Sequence, residues 1–134
     1  MHRFANPARF LKIARALTAP LTLLGLAGVA VGLYIGLFAS PPDYQQGESV
    51  RIMYVHVPGA WLGLGGYLGL GVAAAMYLVW RHPLADVAAR AIAPVGATFA
   101  AICLVSGALW GRPTWGTYWV WDARLTSMLV LFFL

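Results

Sequence analysis

Three long runs of apolar residues, separated by short polar segments, dominate the pattern of this chain. The runs cover residues 17–39, 58–80 and 91–109, and none of them contains a charged residue. An α-helix rises about 1.5 Å per residue and the hydrocarbon core of a bilayer is about 30 Å thick, so runs of this length can cross a membrane. The pattern predicts three membrane-spanning helices, the third near the shortest length that suffices.

A fourth apolar run, residues 125–134, extends to the last residue of the chain. As a helix it would be roughly 15 Å long, about half of the hydrocarbon core. We therefore expect it to be the start of a fourth span. Two explanations are open: the chain is the leading part of a longer protein, or a partner chain shields an incomplete helix. We favour the first.

The polar segments predict a tail and three loops, at residues 1–16, 40–57, 81–90 and 110–124. A cleaved signal peptide also begins with basic residues, but its apolar core is only about 7–15 residues long, so the first run is predicted to be a retained span. Proline disfavours the interior of a helix, and Pro58 therefore predicts that the second helix starts near residue 58.

Glycines recur at helical spacing in the first two spans. Gly28, Gly32 and Gly36 stand four residues apart, and Gly65 and Gly69 repeat the spacing. Small residues let the backbones of membrane helices approach closely. The two stripes therefore predict faces for close helix packing.

Composition supports this reading and excludes an ordinary soluble domain. The chain is 61% hydrophobic and 10% charged, with a mean hydropathy of +0.76, far more apolar than globular proteins. The sequence therefore predicts an all-α, polytopic transmembrane helix bundle, with three complete spans and the start of a fourth.

The net charge of +5 is explained by membrane topology better than by a nucleic-acid partner. Four cations precede the first span: Arg3, Arg9, Lys12 and Arg15. The connection 81–90 adds Arg81 and Arg90, whereas the other two loops hold Arg51, Arg112 and Arg124. Because Lys and Arg collect on the cytoplasmic side, the amino terminus is predicted to be cytoplasmic. Parity then places loops 40–57 and 110–124 together on the outer face.

The sequence offers little for covalent chemistry. Cys103 is the single cysteine and lies in an apolar run, so it predicts a small buried side chain rather than a disulfide or a cysteine metal site. No Cys-x-x-Cys-His sequence for covalent heme attachment is present. Nor is there a nucleophile–base pair, a carboxylate dyad or a phosphate loop. We therefore expect a ligand-handling protein and no enzyme.

Residues 110–126 carry most of the candidate chemistry. They include four of the six tryptophans: Trp110, Trp115, Trp119 and Trp121. If Pro113 lies in the first turn of a short helix, one face of that helix would present Trp115, Tyr118, Trp119, Asp122 and Thr126. Tryptophan also collects at membrane interfaces without binding anything. Its concentration in one loop, beside Gly111 and Gly116, favours a surface for a flat ligand.

Topology brings His56 to the same face as this loop. A neutral imidazole ligates iron, aromatic rings suit a flat macrocycle, and guanidinium groups suit carboxylates. The residues on the predicted outer face therefore indicate a heme site. It would combine His56, the four loop tryptophans with Trp61 nearby, and the cations Arg51, Arg112 and Arg124. The alternative for His56 is a hydrogen-bonded structural residue, and for Asp122 with Arg124 an interfacial ion pair. His2 and His82 are assigned no role.

Residues 115–126, Trp-Gly-Thr-Tyr-Trp-Val-Trp-Asp-Ala-Arg-Leu-Thr, resemble the tryptophan-rich WWD signature of a heme-handling family. That family includes bacterial cytochrome c maturation proteins and chloroplast-type cytochrome c synthases. The ending Asp-Ala-Arg-Leu-Thr, in place of Asp-Pro-Lys-Glu, is similar to its heme exporter branch, CcmC. Pro-Asp-Tyr-Gln-Gln-Gly at 42–47 and Arg-Ile-Met-Tyr-Val-His-Val-Pro at 51–58 are similar to that branch too.

The resemblance implies six spans and a non-covalent, b-type heme presented on the periplasmic face of the bacterial inner membrane. It implies that His56 is one axial ligand of the heme iron and that the second belongs to a later half of the family's sequence. The heme-binding residues it implies are His56, Trp110, Trp115, Trp119, Trp121, Asp122 and Arg124.

The resemblance also implies partners and a role in cytochrome c biogenesis. Heme would be delivered to a membrane-anchored, CcmE-like heme chaperone, beside an ATP-binding-cassette complex of CcmA/CcmB-like subunits and a small CcmD-like subunit. Two alternatives remain open: a permease subunit of a heme transporter, and a heme lyase that itself attaches heme to cytochrome c.

Overall fold

Helices make up most of the chain. The computed structural model describes residues 6–134, so His2 and Arg3 lie outside the described residues. The helices are α1 (Pro7–Tyr34), α2 (Met53–Trp80), α3 (Pro83–Trp115) and α4 (Ala123–Phe133). Across residues 6–134 no β-strand forms beyond an isolated bridge between Asp43 and Gly47. The prediction of an all-α fold is confirmed.

The lengths of the helices fit a membrane protein. Within the described part of the chain, three helical segments are long and apolar enough to cross a membrane: Ala8–Ala39, Glu48–Trp80 and Pro83–Trp115. The fourth, α4, is shorter. The predicted positions of the membrane boundaries, which helix bounds do not define, stay predictions.

α1 belongs to a compact unit of its own, which ends at Ala39, whereas Ser40–Leu134 forms the second unit. Asn6 caps α1 by accepting hydrogen bonds from the backbone N–H groups of Ala8 and Arg9 at 3.0 and 3.4 Å. The helix continues through Pro20 and closes in a π-helical turn, Ile35–Ala39. The site described below lies entirely in the second unit.

A two-residue turn folds α2 and α3 into an antiparallel hairpin. Arg81 adopts a left-handed conformation with φ of 51° and donates its backbone N–H to the carbonyl oxygen of Tyr77 at 2.8 Å, which ends α2. His82 is extended, and Pro83 follows at the first position of α3. Proline is favoured there because its ring already holds the helical φ. The hairpin therefore places the start of α2 beside the end of α3.

Glycines at the crossing let the two backbones touch. A Cβ atom added at Gly66 would lie 2.7 Å from the Cα atom of Gly96, and one at Gly63 would lie 3.2 Å from the backbone nitrogen of Ala100. The predicted stripe is therefore misplaced: Gly65 faces open space, and Gly69 reaches only the side chain of Ile92 at 3.6 Å. Which glycines lie at the helix contact depends on how the turn aligns α2 with α3. The spacing of glycines within one helix does not reveal that alignment.

Both helices of the hairpin, α2 and α3, are longer than the helices predicted from the sequence. α2 begins at Met53, after a 3₁₀ turn at Glu48–Ile52, and passes through Pro58 without ending. Neighbouring Gly59 lets this part of α2 pack closely on α3, since a Cβ there would lie 3.2 Å from the side chain of Ile102. α3 begins at Pro83 within the predicted charged connection, where Arg90 pairs with Asp86 at 3.0 Å.

The short helix predicted to begin at Pro113 does not exist. Pro113 lies in the last turn of α3, and Gly116, with φ of 78°, ends that helix. A positive φ favours glycine and stops helical hydrogen bonding. Residues 116–122 are not helical, and α4 starts only after Asp122. The predicted helical face from Trp115 to Thr126 is therefore wrong.

α4 packs against both helices of the hairpin. Met128 of α4 is buried with Ala100 and Cys103 of α3. Its methyl carbon lies 3.1 Å from the position of a Cβ on Gly63, which brings all three helices together. The start of α4 is thereby held beside the end of α3.

Candidate heme site at the His56 end of the hairpin

His56 lies in the first turn of α2 and turns its ring towards α3. Its Nδ1 atom is 3.2 Å from the carbonyl oxygen of Cys103 and 3.1 Å from the hydroxyl oxygen of Ser106. The ring is partly buried. The imidazole is therefore held in one orientation by a neighbouring helix.

The surface of α3 is shaped to receive this ring. Cys103, Ser106, Gly107 and Trp110 share one helical face, at spacings of three, four and seven residues. A Cβ on Gly107 would lie 3.0 Å from Cε1 of His56, closer than an ordinary van der Waals contact. Trp110 stacks on the imidazole, with ring centroids 6.4 Å apart and planes inclined by 27°.

Trp110 is fixed from the other side by the loop before α2. Its indole N–H donates to the side-chain oxygen of Gln46 at 3.0 Å. The Asp43 carboxylate accepts the backbone N–H groups of Gln45 and Gln46, each at 2.9 Å, and so orders this turn. The same two hydrogen bonds lower the pKa of Asp43, and the bond from Gln46 contributes most to this change.

Trp115 and Arg124 form the second wall of the site. Trp115 meets Trp110 edge-on at 5.5 Å, and Gly111 leaves room for it, since a Cβ there would lie 3.3 Å from the Trp115 ring. The Arg124 guanidinium carbon lies 5.4 Å from the centroid of the Trp115 ring. The wall thus ends in a cation that rests on an aromatic face.

Asp122 joins Arg124 to the start of α4. Its carboxylate accepts the backbone N–H of Leu125 at 2.8 Å, as a helix cap, and pairs with Arg124 at 2.7 Å. The bond from Leu125, followed by that from Arg124, lowers the pKa of Asp122. Asp122 is therefore a carboxylate that positions Arg124.

Several of these side chains line a cavity of about 450 Å³, within the range of small-molecule sites. His56, Trp110, Trp115, Asp122 and Arg124 line its polar and aromatic part. The remaining lining is mostly apolar: Ala60, Leu64, Cys103, Leu104, Gly107, Leu125, Ser127, Met128 and Leu131. One imidazole and one guanidinium thus face a largely apolar space.

The other predicted site residues lie elsewhere. Trp119 and Trp121 contact each other edge-on at 5.4 Å and do not line the cavity. The Trp119 indole nitrogen is buried and has no hydrogen-bond partner in the described part of the chain. Trp61, 75% exposed, also lies outside the lining.

Of the three predicted cations, Arg124 alone is among the lining residues of this cavity. Arg51 pairs with Glu48 at 2.8 Å and donates to the carbonyl oxygen of Ser40. Arg112 donates to the carbonyl oxygen of Gly116 at 3.0 Å and lies over the ring of Tyr118. Both contribute to the order of the loops.

Four contributors were missed from the sequence: the Cys103 carbonyl, Ser106, Gly107 and Gln46. The signal for two of them was present, because a serine and a glycine one turn before Trp110 interrupt an apolar run. The carbonyl and Gln46 carry no such signal. Their roles depend on the pairing of α2 with α3.

The donor set fits heme better than a bare metal ion. Across residues 6–134 no group of three or more His, Cys, Asp or Glu side chains could hold a metal together. A porphyrin brings four nitrogen ligands of its own and needs only axial ligands from the protein. One imidazole, two indole rings and one guanidinium are groups that an iron porphyrin with carboxylates can use.

Fold and site together define a polytopic, all-α membrane protein with a largely apolar cavity that is also lined by an imidazole, two indole rings and a guanidinium. A family model described as heme exporter protein C matches residues 1–134, and the chain belongs to this family. The resemblance to the heme exporter branch is confirmed.

Individual relatives agree with the family model. The heme exporter protein C of Bradyrhizobium diazoefficiens is 53% identical over 128 residues, covering 96% of this chain and 48% of the relative. That of Haemophilus influenzae is 48% identical, covering 100% of this chain and 54% of the relative. A ccmC-like mitochondrial protein of Marchantia polymorpha, named for cytochrome c biosynthesis, is 47% identical, covering 78% of this chain and 46% of the relative. The chain spans about half the length of these relatives.

Proposed function

We propose that this chain is the heme-presenting part of a membrane protein of cytochrome c maturation. The observation that carries the proposal is the placement of His56 beside Trp110, Trp115 and Arg124 around one cavity. The names of the relatives, heme exporter protein C and cytochrome c biosynthesis protein, support the same role. Heme is the cargo, held without a covalent bond.

Each cavity residue has a role in this proposal. His56 is one axial ligand of the iron, the indole rings of Trp110 and Trp115 contact the macrocycle, and Arg124 attracts a propionate. Asp122 holds Arg124 in place and balances its charge. For Trp119 and Trp121, a role in binding heme stays a prediction.

The delivery step and the partners are part of the proposal. Heme is presented on the periplasmic face of the inner membrane to a membrane-anchored, CcmE-like chaperone, with CcmA/CcmB-like and CcmD-like subunits as neighbours. Support comes from the predicted topology, in which the amino-terminal tail and the 81–90 connection hold six of the nine basic residues. We propose a carrier and no enzyme, because Ser106, whose hydroxyl lies within hydrogen-bond distance of His56, is buried and is not among the residues that line the cavity.

Loss of the imidazole tests the site. In the full-length protein, we expect His56→Ala to lower the affinity for hemin at least about 10-fold and to shift its visible absorption bands. The matched control is His82→Ala, since His82 lies in the turn at the opposite end of the hairpin. Titration of the purified variants with hemin measures both effects. Equal affinities and spectra for the two variants would remove His56 from the site.

A further inference from the structure

The δ nitrogen of His56 is surrounded by oxygen atoms on α3. The Cys103 carbonyl oxygen lies 3.2 Å from it and the Ser106 hydroxyl oxygen 3.1 Å. A carbonyl oxygen can only accept a hydrogen bond. For the contact with Cys103 to be a hydrogen bond, Nδ1 must carry the hydrogen atom.

The hydroxyl of Ser106 leads to the same assignment. Its oxygen lies 2.5 Å from the carbonyl oxygen of Ile102, which is also an acceptor only. The carbonyl oxygen of Cys103, 3.3 Å away, is a second acceptor for the same hydroxyl. With the single hydroxyl hydrogen given to one of these carbonyl oxygens, a lone pair of the serine oxygen faces His56. Ser106 is 7% exposed, so water competes little for these bonds.

Nε2 of His56 is left free by this arrangement. A neutral imidazole with hydrogen on Nδ1 has its electron pair on Nε2. Nε2 makes no hydrogen bond with the described residues, whereas His56 lines the cavity. Gly107 and Trp110 hold the plane of the ring.

We infer that Ser106 is a positioning residue that fixes His56 as the Nδ1–H tautomer and so leaves Nε2 unprotonated, as an electron-pair donor towards the cavity. The inference refines the proposed function. It depends on that function in one respect only, namely that the group which receives the electron pair of Nε2 is the heme iron. A hydrogen bond at the far nitrogen also makes a ligating histidine more basic and commonly changes metal affinity 10- to 100-fold.

Nitrogen NMR of the heme-free, full-length protein tests the tautomer directly. With ¹⁵N-histidine labelling, protonated and unprotonated ring nitrogens differ in chemical shift, and His56→Ala identifies the signals of His56. We expect the wild type to show Nδ1 protonated and Nε2 unprotonated. In Ser106→Ala we expect a share of the Nε2–H tautomer, and in Ser106→Thr, which keeps the hydroxyl, a return towards the wild-type pattern.

Hemin titration provides the second readout. We expect Ser106→Ala to weaken hemin binding about 10- to 100-fold and to raise the reduction potential of the bound iron, since a less basic ligand stabilises ferric iron less. Ser106→Thr should recover most of the affinity. A wild type in the Nε2–H form, or an unchanged tautomer in Ser106→Ala, would overturn the inference. Failure of the wild type to bind hemin would instead overturn the proposed function and leave the NMR result standing.

Discussion

Some residues at the site have the role of positioning the side chains that line the cavity. Asp122 is the clearest example, because one carboxylate oxygen caps α4 while the other binds Arg124. Gln46 acts similarly on Trp110. The cavity therefore depends on side chains that do not themselves need to contact the ligand.

The lowered pKa of Asp122 predicts a dependence of stability on pH. A carboxylate whose pKa is lower in the folded protein stabilises that state fully above its ordinary value, near 3.8, and the contribution is lost as the pH falls through the lower, folded value. We expect the melting temperature of the wild type to exceed that of Asp122→Asn at neutral pH, and the gap to close on acidification. Thermal melts across this range measure the gap.

Asparagine is the matched replacement because it can still cap a helix but cannot carry the charge. Asp122→Ala, which loses both bonds, should melt below Asp122→Asn at neutral pH. If the difference between wild type and Asp122→Asn were the same at every pH, the charge of Asp122 would have no part in stability.

Helices in this protein are defined by packing more than by local preference. Pro58 and Pro94 lie inside α2 and α3 without ending them. The crossing at Gly66 and Gly96 brings the backbones so close that a Cβ on Gly66 would lie 2.7 Å from the Cα atom of Gly96. The position of this crossing sets the register that places His56 opposite Ser106.

Enlarging Gly66 should therefore separate the helices. We expect Gly66→Ala to destabilise the protein by about 1–3 kcal/mol, the usual range for an overpacked site, because its Cβ would lie 2.7 Å from the Cα atom of Gly96. Gly71→Ala is the control, since a Cβ there has nothing within 4 Å and alanine favours the helix. Denaturant titration of the purified variants compares them. Equal stability of the two variants would mean that the crossing does not resist enlargement.

The molecule as a whole joins an aromatic site to one end of a membrane hairpin. His56 and the tryptophan loop meet there, whereas Arg81 and Arg90 lie at or near the turn at the other end. Since Lys and Arg collect on the cytoplasmic side, and the amino-terminal tail and the 81–90 connection together hold six of the nine, the site is predicted to face outwards. The direction of heme delivery in the proposed function depends on this orientation.

Cysteine labelling tests the orientation. In a full-length protein stripped of other cysteines, with Cys103 changed to alanine, Tyr44→Cys marks the site end and Ala88→Cys the end with the turn; both positions are exposed. In intact spheroplasts, we expect a membrane-impermeant maleimide to label Tyr44→Cys and to reach Ala88→Cys only after lysis. The reverse pattern would place the site in the cytoplasm and contradict periplasmic delivery.

The sequence by itself determined the helical class, the number of long apolar helices and the family, because these depend on composition, run length and local motifs. The pairing of His56 with Trp110, and the exclusion of Trp119 and Trp121 from the cavity, were decided by the tertiary structure. Both follow from the turn at Arg81 and His82, from the stop at Gly116 and from the glycine crossing. These features decide which faces of α2, α3 and α4 contact one another. The contacts join residues far apart in the sequence, so no local sequence pattern encodes the alignment of the helices.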